Sequence, residues 1–436
     1  LKSIFINGFW LIIDKLLKLS VGLIVSVWIV RYLGPEWFGK FNFLNALIVL
    51  FGTLISFGSE GILVRMLVSE PEKRDEVLLS AFWIHFTFGI LSVLLSFCAL
   101  WILKPNDGLY FLMLILSVPS LFRCFSVVRF VFEAKLEVKF VVWAENIVFL
   151  VLSVVRVCLI SYRFPHLALF ITFAVEGVIS SLLIYFLYLR QNGTISFHFP
   201  RLNRVKSILS DSFPLLLAGL AIILYMKVDQ IMIGSILGDS QLGLYSVGVR
   251  WSEFWYFIPI GLASSFFPNL IKLKNEFSSD YDKRFLLLHG IVFWIAFLGA
   301  SAVQLFAEPL INVLYGDLFQ SSASILKVHI WSGIFVFLGV AGGNFFLIEN
   351  LQKYTIWKSL FGLAVNVILN YLWIPTYGIM GAAVATLISQ FCASTLFLFF
   401  FKDLRPLLRF QLLGLFFWNL NIRSFAKKLL EINKNK

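Results

Sequence analysis

The chain has 436 residues, 60% of them hydrophobic and 14% charged, with 49 phenylalanines and a formal charge of +12. A water-soluble domain carries roughly one-quarter charged residues, and one this apolar would show large greasy patches to solvent, so the composition excludes a soluble globule and makes lipid the solvent. The basic excess lies in short segments between apolar runs rather than on a polar domain, which argues against a nucleic-acid partner and makes those charges topology signals.

A helix needs about 20 residues to cross about 30 Å of hydrocarbon, and apolar runs of that length predict twelve spans. The first six cover 9–30, 41–62, 79–102, 109–131, 140–160 and 167–189. No small-residue cleavage site follows the opening run, so it reads as a first span rather than a removable leader. The other six cover 213–234, 244–270, 285–306, 323–348, 354–374 and 380–401. The stretch NGTISFHFPRLNR is the most polar in the middle of the chain, which predicts an N-terminal six-helix lobe over 1–190, a cytoplasmic linker over 191–210 and a C-terminal lobe over 211–402. The remainder, 403–436, is a basic tail whose apolar patch at 411–420 is too short to cross a bilayer and reads as an interfacial helix.

Lys and Arg are retained on the cytoplasmic side. With the N-terminus inside, about fourteen of them fall in inner loops, against Arg31, Lys40, Lys104 and Arg163 in outer ones. Both termini are therefore expected in the cytoplasm. LGPEWFGKF (33–41) and LGDSQLGLY (237–245) share the pattern L-G-x-x-x-x-G-x-aromatic 204 residues apart. Each follows the opening helix of a six-span block, which implies a parallel two-lobe repeat.

Ionisable groups inside spans each cost about 2.5–3.5 kcal/mol on insertion scales unless paired or hydrated, so they mark a cavity. Asp14 and Lys18, four residues apart, can pair on one helix face, which leaves Lys15 off that stripe and unpaired. Asp229 and Arg250 each lie about 9 Å inside the outer boundary at 1.5 Å per residue. Lys227 and Glu253 are within a turn of them, giving a charged cluster in the second lobe. Arg123, Arg156, Glu145 and Glu176 are the buried charges of the first. Arg129, Lys327 and Lys358, near span ends, are expected to snorkel to headgroups. Asn366 and Asn370 suit either a cavity wall or interhelix hydrogen bonds.

Deep cations suit a phosphate or pyrophosphate, which makes Lys15, Lys18, Arg123, Arg156, Lys227 and Arg250 the substrate-binding candidates. Asp14, Glu145, Glu176, Asp229 and Glu253 are candidates for binding a coupling H⁺ or Na⁺, and the sequence does not choose among them. No cofactor or metal is implied. Cys98, Cys124, Cys158 and Cys392 lie in apolar stretches without metal-like spacing. HExxH, Walker A and GxSxG patterns are missing, and DYD (280–282) sits in a short inner loop where a solvated charge run is the simpler reading, so no enzyme is expected.

Four stretches, RYLGPEWFGKFNF (31–43), VDQIMIGSILGDSQLGLYSVGVRWSEFWYFIPIGLASSFFP (228–268), LYGDLFQSSASILKVHIWS (314–332) and NVILNYLWIPTYGIMGAAVATLIS (366–389), together resemble the polysaccharide-export flippases (Wzx, or O-antigen flippases) of the multidrug/oligosaccharidyl-lipid/polysaccharide (MOP) superfamily. The resemblance spans nearly the whole chain. It implies an all-α integral membrane fold with two six-helix lobes around a central cavity. It also implies alternating access that carries an undecaprenyl-pyrophosphate-linked glycan from the cytoplasmic to the periplasmic leaflet of a bacterial inner membrane. The partners implied are that lipid-linked oligosaccharide, membrane lipids, and polymerase and chain-length proteins of the same pathway. A cation-coupled multidrug antiporter of the related MATE type is the alternative. It would want an acidic, aromatic cavity, and the surplus of deep Lys and Arg argues against it.

Overall fold

The computed structural model describes residues 2–105, 107–192, 199–276 and 280–415; the side chains of 2–9, 11–13, 15, 16 and 192 lie outside that description. The described residues are helical and contain no strand, as expected where every backbone N–H and C=O must be satisfied within its own segment.

The elements are α1 (Lys2–Ser56), α2 (Glu60–Ser69), α3 (Arg74–Leu103), α4 (Tyr110–Phe122), α5 (Arg129–Ala134), α6 (Val138–Ser161), α7 (His166–Asn192), α8 (Leu202–Ile236) and α9 (Asp239–Glu253). They continue as α10 (Phe257–Asn275), α11 (Asp280–Tyr315), α12 (Gln320–His329), α13 (Ser332–Ile348), α14 (Lys353–Phe391), α15 (Phe397–Phe399) and α16 (Arg405–Gly414). Nine helices among the described residues are long and apolar enough to cross a membrane, or ten if Asp317–His329 and Ser332–Ile348, bent by 46°, form one span. The protein is a multi-pass membrane protein.

Two stretches run through positions where separate spans are predicted. Within α1, Gly34 leaves the helical region (φ 68, ψ 176) just before Pro35. Within α14, Gly378 does the same (φ 60, ψ −145) three residues after Pro375. Glycine alone adopts such angles cheaply, and proline fits the first turn of the segment that follows it, so a sharp kink replaces a loop.

The helices group into two compact units, Leu1–Ser246 with Leu314–Leu318, and Val247–Val313 with Phe319–Lys436. The first is cored by Val77, Leu78, Phe132, Val141, Tyr188 and Ile208. The second is cored by Phe285, Phe337, Phe345 and Phe410. In the second unit α16 buries Leu407, Phe410, Gln411 and Gly414. Phe410 stacks on Phe285, and Gln411 donates to the Ser394 carbonyl. Leu412 and Leu413 face outward. The start of the predicted interfacial segment is thus seated on protein by one face, and residues 416–436 lie outside the described residues.

Candidate functional site

The end of α4 shapes the first unit's interior. Pro119 removes a backbone donor and the helix tightens into a 3₁₀ turn, Arg123–Val128. Two glycines let the neighbouring helices close on this point. A methyl group at Gly89 of α3 would lie 2.8 Å from the Ser120 carbonyl oxygen, and one at Gly177 of α7 would lie 2.6 Å from the Pro119 ring. Between these helices is a cavity of 510 Å³ lined by Ser56, Glu60, His85, Arg123, Ser126, Arg129, Glu133, Glu145, Ser180 and Ser181, among others.

Most of the charges beside this cavity are committed to one another. Arg129 donates to Glu133 at 2.9 Å and to Glu145 at 2.8 Å. Lys18 reaches the other Glu145 oxygen at 2.8 Å and Asp14 at 2.9 Å, and Asn146 donates to Asp14 at 2.9 Å. Lysine, carboxylates and guanidinium thus alternate along a chain from α1 to α5. Arg129 does not snorkel to a headgroup as expected, because the 3₁₀ turn carries the start of α5 inward, where Glu133 and Glu145 meet it.

Arg123 is different. Its side chain is exposed within the cavity lining and makes neither an ion pair nor a hydrogen bond among the described residues. Glu60 at the start of α2 has no ion-pair partner there either, and the buried His85 leaves its Nε2 without a hydrogen bond. An unpaired guanidinium with five donors facing a cavity is suited to an oxyanion.

The remaining candidates lie elsewhere. Arg156 is spent on Glu176 at 2.5 Å, on the Thr172 hydroxyl at 2.9 Å and on the Phe173 ring at 4.0 Å. Asp229 is buried and accepts hydrogen bonds from the Tyr245 hydroxyl and from the Gln230 backbone N–H, the latter at 2.7 Å. Lys227 donates to the Gln230 side chain at 3.5 Å. Arg250 is exposed and Glu253 half-buried in the last turns of α9, which from Val247 onward belong to the second unit. The side chain of Lys15 lies outside the described residues.

In the second unit, Lys327 pairs with Glu308 at 2.6 Å. Lys358 does not reach a headgroup as expected but lies over the Phe346 ring at 5.3 Å. Asn366 donates to Ser389 at 3.2 Å and accepts from Asn370 at 2.9 Å, which makes them helix-packing groups. Sequence reasoning passed over Glu60, His85 and Glu133. The four-residue spacing of Arg129 and Glu133 was the one available signal for the last.

Long apolar helices around a charged interior cavity define a polytopic membrane protein of transporter build. Comparison with known proteins narrows this. Residues 4–274 match the family described as Polysaccharide biosynthesis protein, well over half the chain, and the protein belongs to that family. Over 91% of its length it is 24% identical to the capsular polysaccharide biosynthesis protein CapF of Staphylococcus aureus, covering 98% of that protein. It is 25% identical to the probable flippase AglR of Haloferax volcanii over 39% of this chain and 37% of that one. Its fold is that of the MOP superfamily. A multidrug-resistance MATE family transporter of that superfamily superposes with a TM-score of 0.72 at 17% identity, covering 91% of this chain and 95% of the other. The lipid II flippase MurJ superposes with 0.69 at 16% identity, covering 96% and 93%. Those of these likenesses whose names state a role are a probable flippase, a transporter and a flippase, not enzymes.

Proposed function

We propose that the protein is a flippase of polysaccharide biosynthesis that moves an undecaprenyl-pyrophosphate-linked oligosaccharide from the cytoplasmic to the periplasmic leaflet of a bacterial inner membrane by alternating access. In this reading Arg123 holds the pyrophosphate or another anionic part of the headgroup while the lipid tail stays in the bilayer. The observation that carries it is the guanidinium of Arg123, which makes no ion pair or hydrogen bond among the described residues, in a 510 Å³ cavity where the other arginine, Arg129, is already paired. The polysaccharide family, the probable flippase AglR and the flippase MurJ among its likenesses support the same reading.

Counting α1 and α14 as two passes each at their glycine kinks, and the bent pair as one, gives twelve passes. We place these in two six-helix lobes, 1–190 and 211–402, with both termini in the cytoplasm. The paired carboxylates Asp14, Glu145, Glu176 and Asp229, with Glu253, remain our candidates for H⁺ or Na⁺ coupling. Polymerase and chain-length proteins of the same pathway are the partners this function calls for.

The test is deletion of the gene in its host, complemented with the wild type or with Arg123→Ala. Deletion is expected to strand lipid-linked glycan on the cytoplasmic leaflet. Losing one charge-assisted contact of about 1.5–3 kcal/mol is expected to cut export by roughly tenfold or more, with the variant present in the membrane at normal levels. Full export by Arg123→Ala removes its assigned role. Unchanged surface glycan with altered dye resistance after deletion overturns the flippase reading in favour of a multidrug antiporter.

A further inference from the structure

Glu76, in the first turn of α3, gathers two arginines from the start of α8 without satisfying either. Arg201 Nη1 lies 3.5 Å from one of its carboxylate oxygens and Arg204 Nε lies 3.6 Å from the other, whereas a well-made charge-assisted pair closes to about 2.7–2.9 Å. Arg204 is fixed by Glu70, which accepts from its two terminal nitrogens at 2.8 and 3.3 Å. Arg201 has no second ion-pair or hydrogen-bond partner among the described residues, and 80% of its side chain is exposed. Here opens a cleft of 570 Å³ lined by Glu76, Arg201, Leu202, Asn203, Arg204 and Ser207, within the range of about 300–1,000 Å³ usual for small-ligand sites. One carboxylate shared between two guanidiniums leaves donors over, and those donors suit a phosphate.

The surroundings of the cleft are apolar and open. Phe199 is 85% exposed and Leu202 81%, and Phe199 stacks on Trp83 at 5.4 Å with the ring planes 16° apart. Trp83 is seven residues beyond Glu76, which puts it on nearly the same face of α3 and about 10 Å deeper into the span. The exposed Ile90 and Leu94 continue that face. Cationic donors at the end of a span, an aromatic platform below them and an aliphatic stripe below that follow the order of headgroup, glycerol and acyl chain in a phospholipid. The cleft is also separate from the Arg123 cavity. His85, which lines that cavity, is nine residues from Glu76, about two and a half turns, so the two residues look out from opposite sides of α3.

We propose that this cleft holds the phosphate of an anionic glycerophospholipid of the surrounding bilayer, with Arg201 and Arg204 on the phosphate and an acyl chain along Trp83, Ile90 and Leu94. The occupant is a resident lipid and not the cargo, and the site does not rest on the flippase reading. Glu76 competes with the lipid for both arginines. Neutralising Arg201 and neutralising Glu76 therefore move lipid affinity in opposite directions, which a merely structural ion pair would not do.

The test follows phosphatidylglycerol bound to the purified full chain by native mass spectrometry, against phosphatidylcholine with the same acyl chains. The wild type is expected to prefer phosphatidylglycerol by roughly tenfold, and Arg201→Gln to lose most of that preference. Glu76→Gln is expected to bind phosphatidylglycerol several-fold more tightly than the wild type. Phe199→Ala is expected to weaken both lipids, and Lys272→Gln, which removes an exposed charge in the second unit, to change neither. Inorganic phosphate, having no chain to lay on Trp83, is expected to displace the lipid only in large excess. Equal affinity for the two lipids, no gain in Glu76→Gln, or a loss in Lys272→Gln as large as that in Arg201→Gln overturns the proposal. Displacement by phosphate at the lipid's own concentration overturns it too, in favour of a soluble anion.

Discussion

Arg156 and Glu176 read from sequence as two separate intramembrane charges with separate roles, and in the folded chain each is the other's partner at 2.5 Å. Arg156 is almost wholly buried, so removing one partner leaves the other charge bare in a low-dielectric interior. Glu176→Ala is expected to lower stability by about 3 kcal/mol, whereas Arg156→Met with Glu176→Leu recovers much of that loss. Thermal unfolding in detergent distinguishes the two outcomes, and simply additive losses would contradict the pairing argument.

Outside the spans, Glu70 accepts hydrogen bonds from Arg204 and Lys73, which bring its carboxyl down to about 2 from 4.5. A depressed carboxylate stabilises the fold above its unfolded value and loses that contribution as the pH falls through its folded one. The tie from α2 to α8 is therefore expected to loosen between pH 4.5 and 2. Protection of the amides around Glu70, taken relative to their intrinsic exchange rate at each pH, should fall across that window in the wild type and show no such step in Glu70→Gln.

At the scale of the element, apolar run lengths located the helices because they measure oil. They could not show whether a glycine–proline junction opens a loop or only a bend. Leu33–Phe41 read as a connector, yet α1 continues through it with only a kink at Gly34, and residues 374–380 behave alike in α14 with a kink at Gly378.

Helical order and backbone strain separate cleanly at two glycines with open space where a side chain would go. Gly378 has a φ of +60°, so Gly378→Ala is expected to cost about 1–3 kcal/mol through the backbone alone. Gly219 lies within α8 at an ordinary helical φ, and Gly219→Ala is expected to be stabilising by about 0.4–1 kcal/mol. Opposite shifts in melting temperature check the pair. Like shifts would mean that space, not φ, governs these sites.

Across the whole molecule, lipid as the solvent, the all-helical architecture and the MOP likeness were legible because they are distributed over hundreds of residues. The cavity was legible only in part. Arg123 and Glu145 were named among the buried charges, whereas Arg129, read as a snorkelling cation, and Glu133 join them through a turn beyond α4 that no hydropathy profile records, and Glu60 and His85 come from α2 and α3.

The alternating ions beside that cavity have one more consequence. Glu145 is shared between Arg129 and Lys18, each on its own carboxylate oxygen. Were an anion held at Arg123 also to draw Arg129 away, Glu145 would lose one neighbour and keep the other, Lys18. On the proposed reading, that sharing would let the wall exchange partners with an anionic cargo without stranding a lone ion in the oil.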